Sequence, residues 1–422
     1  MVYLSFLWHM HQPYYKNLLT GRYLLPWVLL HGTKDYFDMP YLLKEFPGLR
    51  QNFNLVPSLL VQLADYTDPG VQDAYLDVFS RDAGRLSAEE RTFLVVNFFS
   101  ANWDHMIRRY PRYYELLRKR GFYYPKDRAS DIQQYFSDDE MRDIQVFFFL
   151  CWIDPVFFTM YDDLRILHDK GGHFTEEDKH VIRKVQTSIL SAIVPLYRDL
   201  SEQGQVELST SPFYHPIIPL LVSGRSAREA MPNVVLPQVS FSHGDDADHQ
   251  IRAANEVFQQ VFGKYPAGMW PPEGSVSDDA LGLYVRNGVK WVATDEDILF
   301  HSLGTGFRGA GDKPVPDPEA FYKPYRFETG EGSVSLFFRD RLISDLISFQ
   351  YSRMGAKDAA ADCIRRIREI GRLCKGMATH PIVTIAMDGE NAWENYENDG
   401  RDFLSYFYEA ILEDHEIIPT TL

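Results

Sequence analysis

The chain has 422 residues, a hydrophobic fraction of 45%, a charged fraction of 24% and a formal net charge of -16. That length suits one catalytic barrel carrying an insertion, and the composition excludes a disordered or fibrous protein. The acidity, with no Lys/Arg-rich block to offset it, argues against nucleic acid as a partner.

The N-terminal segment MVYLSFLWHMHQPYY has no basic region, and His9 interrupts its apolar run. It reads as a buried strand rather than a secretory signal. Further short apolar runs rich in β-branched and aromatic residues follow, giving seven predicted strands at residues 3–8, 52–56, 205–209, 267–271, 290–294, 334–338 and 382–387. Longer segments with three- and four-residue apolar steps separate them, which predicts an α/β fold with a parallel sheet. The spacing is uneven. Residues 87–110, 138–149 and 175–203 all carry helical periodicity, so residues 71–202 are expected to be a large helical insertion between a first barrel part (1–70) and the remainder (203–400), with a C-terminal helix and tail at 401–422. Helices are also expected at 245–262, with acidic residues in its first turn, and at 358–374, while residues 304–318 read as a mobile surface loop. The most apolar stretch, 146–153, stops at Asp154-Pro155 and is too short to cross a bilayer, so no membrane association is expected. Cys151, Cys363 and Cys374 lack metal-ligand spacing and suit a reducing, cytoplasmic setting.

Polar residues gather in or just after the predicted strands: His9, His11, Glu207, Glu273, Asp295, Glu296, Arg339, Asp340, Asp388 and Glu390. In parallel α/β barrels and open sheets alike, ligands bind at the carboxyl ends of strands. Glycosyl transfer needs two carboxyl groups flanking the scissile bond, and two acids stand out. Glu273 sits in GMWPPEGSVS, where prolines and Gly274 suppress regular structure; its plain alternative role is to cap the helix beginning near Ser277. Asp388 ends IVTIAM and precedes GENAWENYENDG, where Asn391, Glu394 and Asn395 can contact hydroxyls; its plain alternative is an acidic capping loop. Asp295, Glu296 and Asp297 are a rival acidic set. His9 and His11 alternate on a strand and share a face, which invites a metal, but no HExxH or clustered spacing supports one, so hydrogen bonding to hydroxyls is the reading taken. Arg339-Asp340 is either a sugar-binding pair or a buried ion pair closing the barrel.

Four ordered segments, WHMHQPYY, GQVELSTSPFYHPIIPL, GMWPPEGSVS and MDGENAWENY, resemble the signature regions of glycoside hydrolase family 57. The resemblance spans nearly the whole chain, and FFSANWDHMI and FFRDRLISDLISF are similar to stretches of its amylase and amylopullulanase branch. It implies an incomplete parallel (β/α)7 barrel and a retaining enzyme without metal or other cofactor that cleaves α-1,4 bonds, with α-1,6 bonds as a further candidate, in an α-glucan. Glu273 then matches the nucleophile and Asp388 the acid/base, with Trp270 and Trp393 at stacking positions and His11 and His215 at polar subsites. The chain reaches IIPTTL soon after its last predicted helix, so the family's C-terminal helical domain is expected to be absent or reduced, and its fifth signature region is not placed. Rival functions are a 4-α-glucanotransferase or branching enzyme using the same chemistry, a metal-dependent deacetylase-like barrel using His9 and His11, and a glucan-binding protein without turnover.

Overall fold

A computed structural model describes residues 1–125, 128–309 and 313–422, so part of the predicted 304–318 loop lies outside the described residues. All seven predicted strands form. They are β1 (Val2–Met10), β2 (Gln51–Leu55), β3 (Val206–Ser209), β4 (Gly268–Met269), β5 (Trp291–Asp295), β7 (Gly332–Arg339) and β8 (Ile382–Asp388). Two more were not expected: β6 (Tyr325–Thr329) and β9 (Ile417–Thr420).

The strand order is β3-β2-β1-β8-β7-β5-β4, with every neighbouring pair parallel. A bridge between Thr210 and Met269 brings the ends together, and the Trp270 amide donates to the Thr210 carbonyl at 3.0 Å. The result is a nearly closed seven-stranded barrel, an incomplete (β/α)7 architecture. Its seams are thin. β7 meets β8 through the single pair Arg339 and Thr384, with the Asp340 amide donating to the Thr384 carbonyl at 2.8 Å.

The extra strands have local causes. β6 forms an antiparallel hairpin with β7, where Thr329 and Gly332 flank a short turn. Residues 417–420, read from the sequence as tail, pair with Val2–Ser5 of β1, while Leu7–Met10 of the same strand pair with β2. Two strands thus share one edge of β1. The tail then enters the barrel floor, where the Leu422 amide donates to Asn52 Oδ1 at 3.2 Å.

Alternation along each strand sorts side chains between two environments. On β1, Phe6 and Trp8 face the surrounding helices, where Phe6 packs on Phe407 and Trp8 on Trp393. Leu7 faces inward and joins Trp270, Trp291, Ala293 and Ala386 in a small apolar layer inside the barrel. Strands buried on both sides explain why they read as continuous apolar runs.

Between β2 and β3 the chain is helical, ending in the 27-residue helix Glu176–Glu202. Its starts follow from sequence. Ser87 with Glu90, Ser137 with Glu140 and Thr175 with Asp178 each form a reciprocal capping box. The predicted helices at 245–262 and 358–374 appear as Gly244–Phe262 and Ala356–Leu373. No described helix is long and apolar enough to cross a membrane.

Candidate active site

Strand register builds the upper layer of the barrel. His9 lies beside Asn54 of β2 on one side and Asp388 of β8 on the other, and Asn54 lies beside Ser209 of β3. Since all these strands are parallel, the inward side chains at this level collect at the carboxyl-terminal mouth. There His9, His11, Gln12, Pro13, Tyr15, Glu273, Asp388, Glu390 and Asn391 line a cavity of about 300 Å³. Glu273 and Asp388, 115 positions apart in sequence, therefore share one cavity.

Glu273 reaches the mouth on a strained turn. Its backbone is left-handed, at φ 57° and ψ 22°, and Gly274 follows at φ +67°. A Cβ on Gly274 would fall 3.4 Å from both the Asp295 amide and the Trp270 ring, so this closely packed left-handed position calls for glycine. A left-handed non-glycine residue costs about 1–3 kcal/mol, a strain that concentrates at functional sites. Trp270 precedes the turn; it is 9% exposed, its ring centroid lies 6.3 Å from that of His9, and its carbonyl accepts from Ser211 Oγ at 2.6 Å. The helix after the turn is capped by Ser277, which accepts from the Ala280 amide at 3.3 Å, so Glu273 is not its cap. Glu273 and Asp388 are both exposed to solvent, and Asn391 Nδ2 donates to Asp388 Oδ2 at 2.8 Å.

Three histidines meet beside these acids. Ring centroids are 5.5 Å apart for His9 and His11, 4.7 Å for His9 and His215, and 4.2 Å for His11 and His215. His215 is also left-handed, at φ 57°. Burial drives the imidazoles toward the neutral form: His9 is lowered despite the opposing charges of Asp388 and Glu273, His11 falls to about 3 and His215 to about 2. Glu390, 2% exposed, moves the other way, because burial and the neighbouring Asp388 raise its carboxyl well above the ordinary range. It accepts from the His11 amide at 3.4 Å.

A second cavity of about 530 Å³ adjoins the first, sharing Gln12, Tyr15 and Asn391. Trp27, His31, Asn102, Trp152 and Glu394 also line it. Asn102 and Trp152 come from the helical region between β2 and β3, so that region walls the groove leading from the barrel mouth. Nothing in helical periodicity marks a groove-lining position, and only the FFSANWDHMI segment pointed toward Asn102.

The remaining predicted residues lie elsewhere. Glu207 faces the barrel interior, where its Oε1 accepts from Trp291 Nε1 at 2.8 Å. Arg339 pairs with Asp345 at 2.7 Å. Asp340, 1% exposed, caps the helix Arg341–Phe349 by accepting from the Ile343 amide at 3.0 Å, and also binds the Tyr322 hydroxyl at 2.7 Å and Arg308 at 3.2 Å. Trp393 is 1% exposed, and its Nε1 donates to the Gly389 carbonyl at 2.8 Å, so it packs behind the Asp388 loop. The rival acids are held by arginines, Glu296 by Arg308 at 2.9 Å and Asp297 by Arg341 at 3.0 Å.

The fold has solved counterparts. The α-amylase AmyC of Thermotoga maritima is 15% identical, with a TM-score of 0.52 over 99% of this chain and 73% of its own. A 4-α-glucanotransferase of Thermococcus litoralis is 15% identical, with a TM-score of 0.50 over 100% of this chain and 39% of its own. A branching enzyme of the archaeon Pyrococcus horikoshii is 16% identical, with a TM-score of 0.54 over 100% of this chain and 69% of its own. No curated protein sequence matches the chain. The sequence model described as glycosyl hydrolase family 57 matches residues 5–422, and the chain belongs to that family.

Proposed function

We propose that this protein is a retaining glycoside hydrolase that cleaves α-1,4 bonds of an α-glucan, with α-1,6 bonds as a second target. The observation that carries the reading is the shared cavity of Glu273 and Asp388 at the carboxyl-terminal mouth of the barrel. Retention places two carboxyl groups about 5–5.5 Å apart, one attacking the anomeric carbon while the other protonates the leaving oxygen. Glu273, fixed on its strained turn, is assigned the attack. Asp388, oriented by Asn391, gives its proton to the leaving oxygen and then takes one from the incoming water.

The groove bordered by Tyr15, Trp27 and Trp152 supports an extended substrate, since aromatic faces combine with polar groups such as Asn102 and Gln12 to hold sugar rings. Glycan transfer is the second reading, and the same groove favours it: an acceptor sugar seated there would replace water in the second step. The solved enzymes of similar fold include a named amylase, a glucanotransferase and a branching enzyme, all consistent with this chemistry. The three buried free thiols support a cytoplasmic setting.

The test is product analysis with maltoheptaose for the unmodified protein, Glu273→Gln and Asp388→Asn, each with and without chelator. Shorter chains with new reducing ends, absent from both variants and unaffected by chelator, are the expected result. Longer products without net reducing ends make the enzyme a transferase. Turnover retained by both variants, or abolished by chelator, overturns the carboxylate mechanism.

A further inference from the structure

Asp388 stands at the head of a loop that runs to Gly400, and the far end of that loop is strained. Asn398, Asp399 and Gly400 are consecutive left-handed residues, at φ 50°, 53° and 78°. Two adjacent non-glycine residues in that region are uncommon, and such strain persists only where the surroundings over-determine it.

Buried charge supplies the constraint. The Asp399 side chain is 3% exposed and meets two cations: its Oδ1 lies 3.3 Å from Lys34 Nζ, and its Oδ2 accepts from Arg109 Nη2 at 3.1 Å. Lys34, itself buried, is held in turn by Asp35 Oδ1 at 2.8 Å. Lys34 directly precedes the helix Asp35–Leu42, and Arg109 belongs to the helical region between β2 and β3. Asp399 is thus tied at once to the helices after β1 and to the insertion. Asp154 also acts on both cations, but burial, with Asp38 and Asp399 nearby, raises its carboxyl well above the ordinary range, which leaves Asp399 as the charged partner of Arg109.

The constraint reaches Asp388 through packing. Gly400 lies so close to the Trp393 ring that a Cβ there would fall 2.4 Å from one of its atoms. The indole N–H of that ring donates to the carbonyl of Gly389, the residue after Asp388, at 2.8 Å. The Gly389 amide donates to the His9 carbonyl at 2.9 Å, so the backbone beside Asp388 is fixed from both sides. A general acid must stand within hydrogen-bond reach of the oxygen it protonates, and a displacement of about 1 Å caused by a remote residue can slow a reaction about a hundredfold.

We propose that Asp399, gripped by Lys34 and Arg109, is a positioning residue for proton transfer by Asp388, acting through Gly400 and Trp393. Asp399, Lys34 and Arg109 line neither the catalytic cavity nor the groove, so they act on geometry rather than on the substrate. The inference rests on Asp388 as the acid/base.

The experiment compares kcat/KM for maltoheptaose with kcat/KM for nitrophenyl α-maltotrioside, whose nitrophenolate departs without a proton. The proteins are the parent, Asp399→Asn, Arg109→Gln, the double variant and Asp388→Asn. Asparagine keeps the shape of Asp399 and tolerates its left-handed backbone while removing the charge. Asp399→Asn is expected to lower the maltoheptaose value about tenfold and the nitrophenyl value less than about twofold, because only the first substrate needs a well-placed acid. Arg109→Gln leaves Lys34 in place and is expected to lower the maltoheptaose value about threefold with the same selectivity, and the double variant is no worse than Asp399→Asn, since both act through one link. Equal losses on the two substrates, or no loss, overturn the proposal, and Arg109→Gln decides it if Asp399→Asn does not fold. Asp388→Asn separates the two readings. If its loss is selective and the others are not, only the positioning role falls; if its own loss is not selective, the acid assignment falls and this inference with it.

Discussion

Replacing Glu207 by alanine separates a structural role from a substrate-binding one. Its carboxylate ties β3 to β5 through Trp291 Nε1 at 2.8 Å and also accepts from the Thr421 side chain, so one residue joins two strands and the tail in the barrel floor. Trp291 is 5% exposed, and removing its acceptor leaves a buried indole N–H unpaired. An unsatisfied buried donor costs about 1–3 kcal/mol. The space left by the lost side chain adds about 1 kcal/mol, for a total of about 2–4 kcal/mol. Glutamine keeps an acceptor at the same place, so Glu207→Gln loses less than about 1 kcal/mol. Urea unfolding of the three proteins reads the stabilities, and initial rates on maltoheptaose read KM. The alanine variant is expected to unfold at clearly lower urea with KM within about twofold of the parent, since 1.4 kcal/mol corresponds to tenfold. Unchanged stability with KM raised tenfold would refute this reasoning and put Glu207 against the substrate.

Gly268→Ala would set a Cβ 1.8 Å from one atom of the Trp291 ring and 2.2 Å from two others, forcing the indole away from Glu207. A loss of about 3 kcal/mol or more in urea unfolding is expected, and a loss below about 0.5 kcal/mol would show that the ring moves freely. Burial pushes the Asp38 carboxyl up to about 7, against the pull of Arg401 and Lys34. A raised folded value means its contribution is complete below the unfolded pKa near 4 and is lost as pH rises through about 7. The melting temperature of Asp38→Asn should therefore fall less than that of the parent between about pH 5 and about pH 8, and equal slopes would contradict the assignment. Trp27→Ala removes an aromatic wall of the second cavity and is expected to raise KM for maltoheptaose by about two- to tenfold with a smaller effect on maltotriose, as stacking is worth about 0.5–1.5 kcal/mol. Equal effects on both substrates would place the long glucan elsewhere.

Strands and helix starts were legible because local rules decide them. The run preceding Asp388 and the run preceding His9 are apolar because both of their faces are covered, and capping boxes such as Ser137 with Glu140 are written in four consecutive residues. Strand β9 was not legible: Ile417–Thr420 is a short run that contains Pro419, and it becomes a strand only because the lower edge of β1 is free to pair with it. The same holds for β6, which depends on the exposed edge of β7.

At the site, the sequence by itself determined that Glu273 and Asp388 follow strands, since an acid after an apolar run lies at a strand end whatever the closure of the sheet. It placed His9 and His11 at the end of the first strand, although the structure puts only His9 on β1 and His11 in the loop directly after it. Only the tertiary structure decided that both acids open into one cavity, because that depends on strand order across the barrel rather than on spacing. It decided that Trp393 packs behind the Asp388 loop and Glu207 inside the floor, since which side of a strand or loop meets the cavity is set by barrel register. It also brought His215 onto His9 and His11 from more than two hundred residues away. Residues far apart in the chain become one chemical group only when parallel strands in register deliver them to the same mouth.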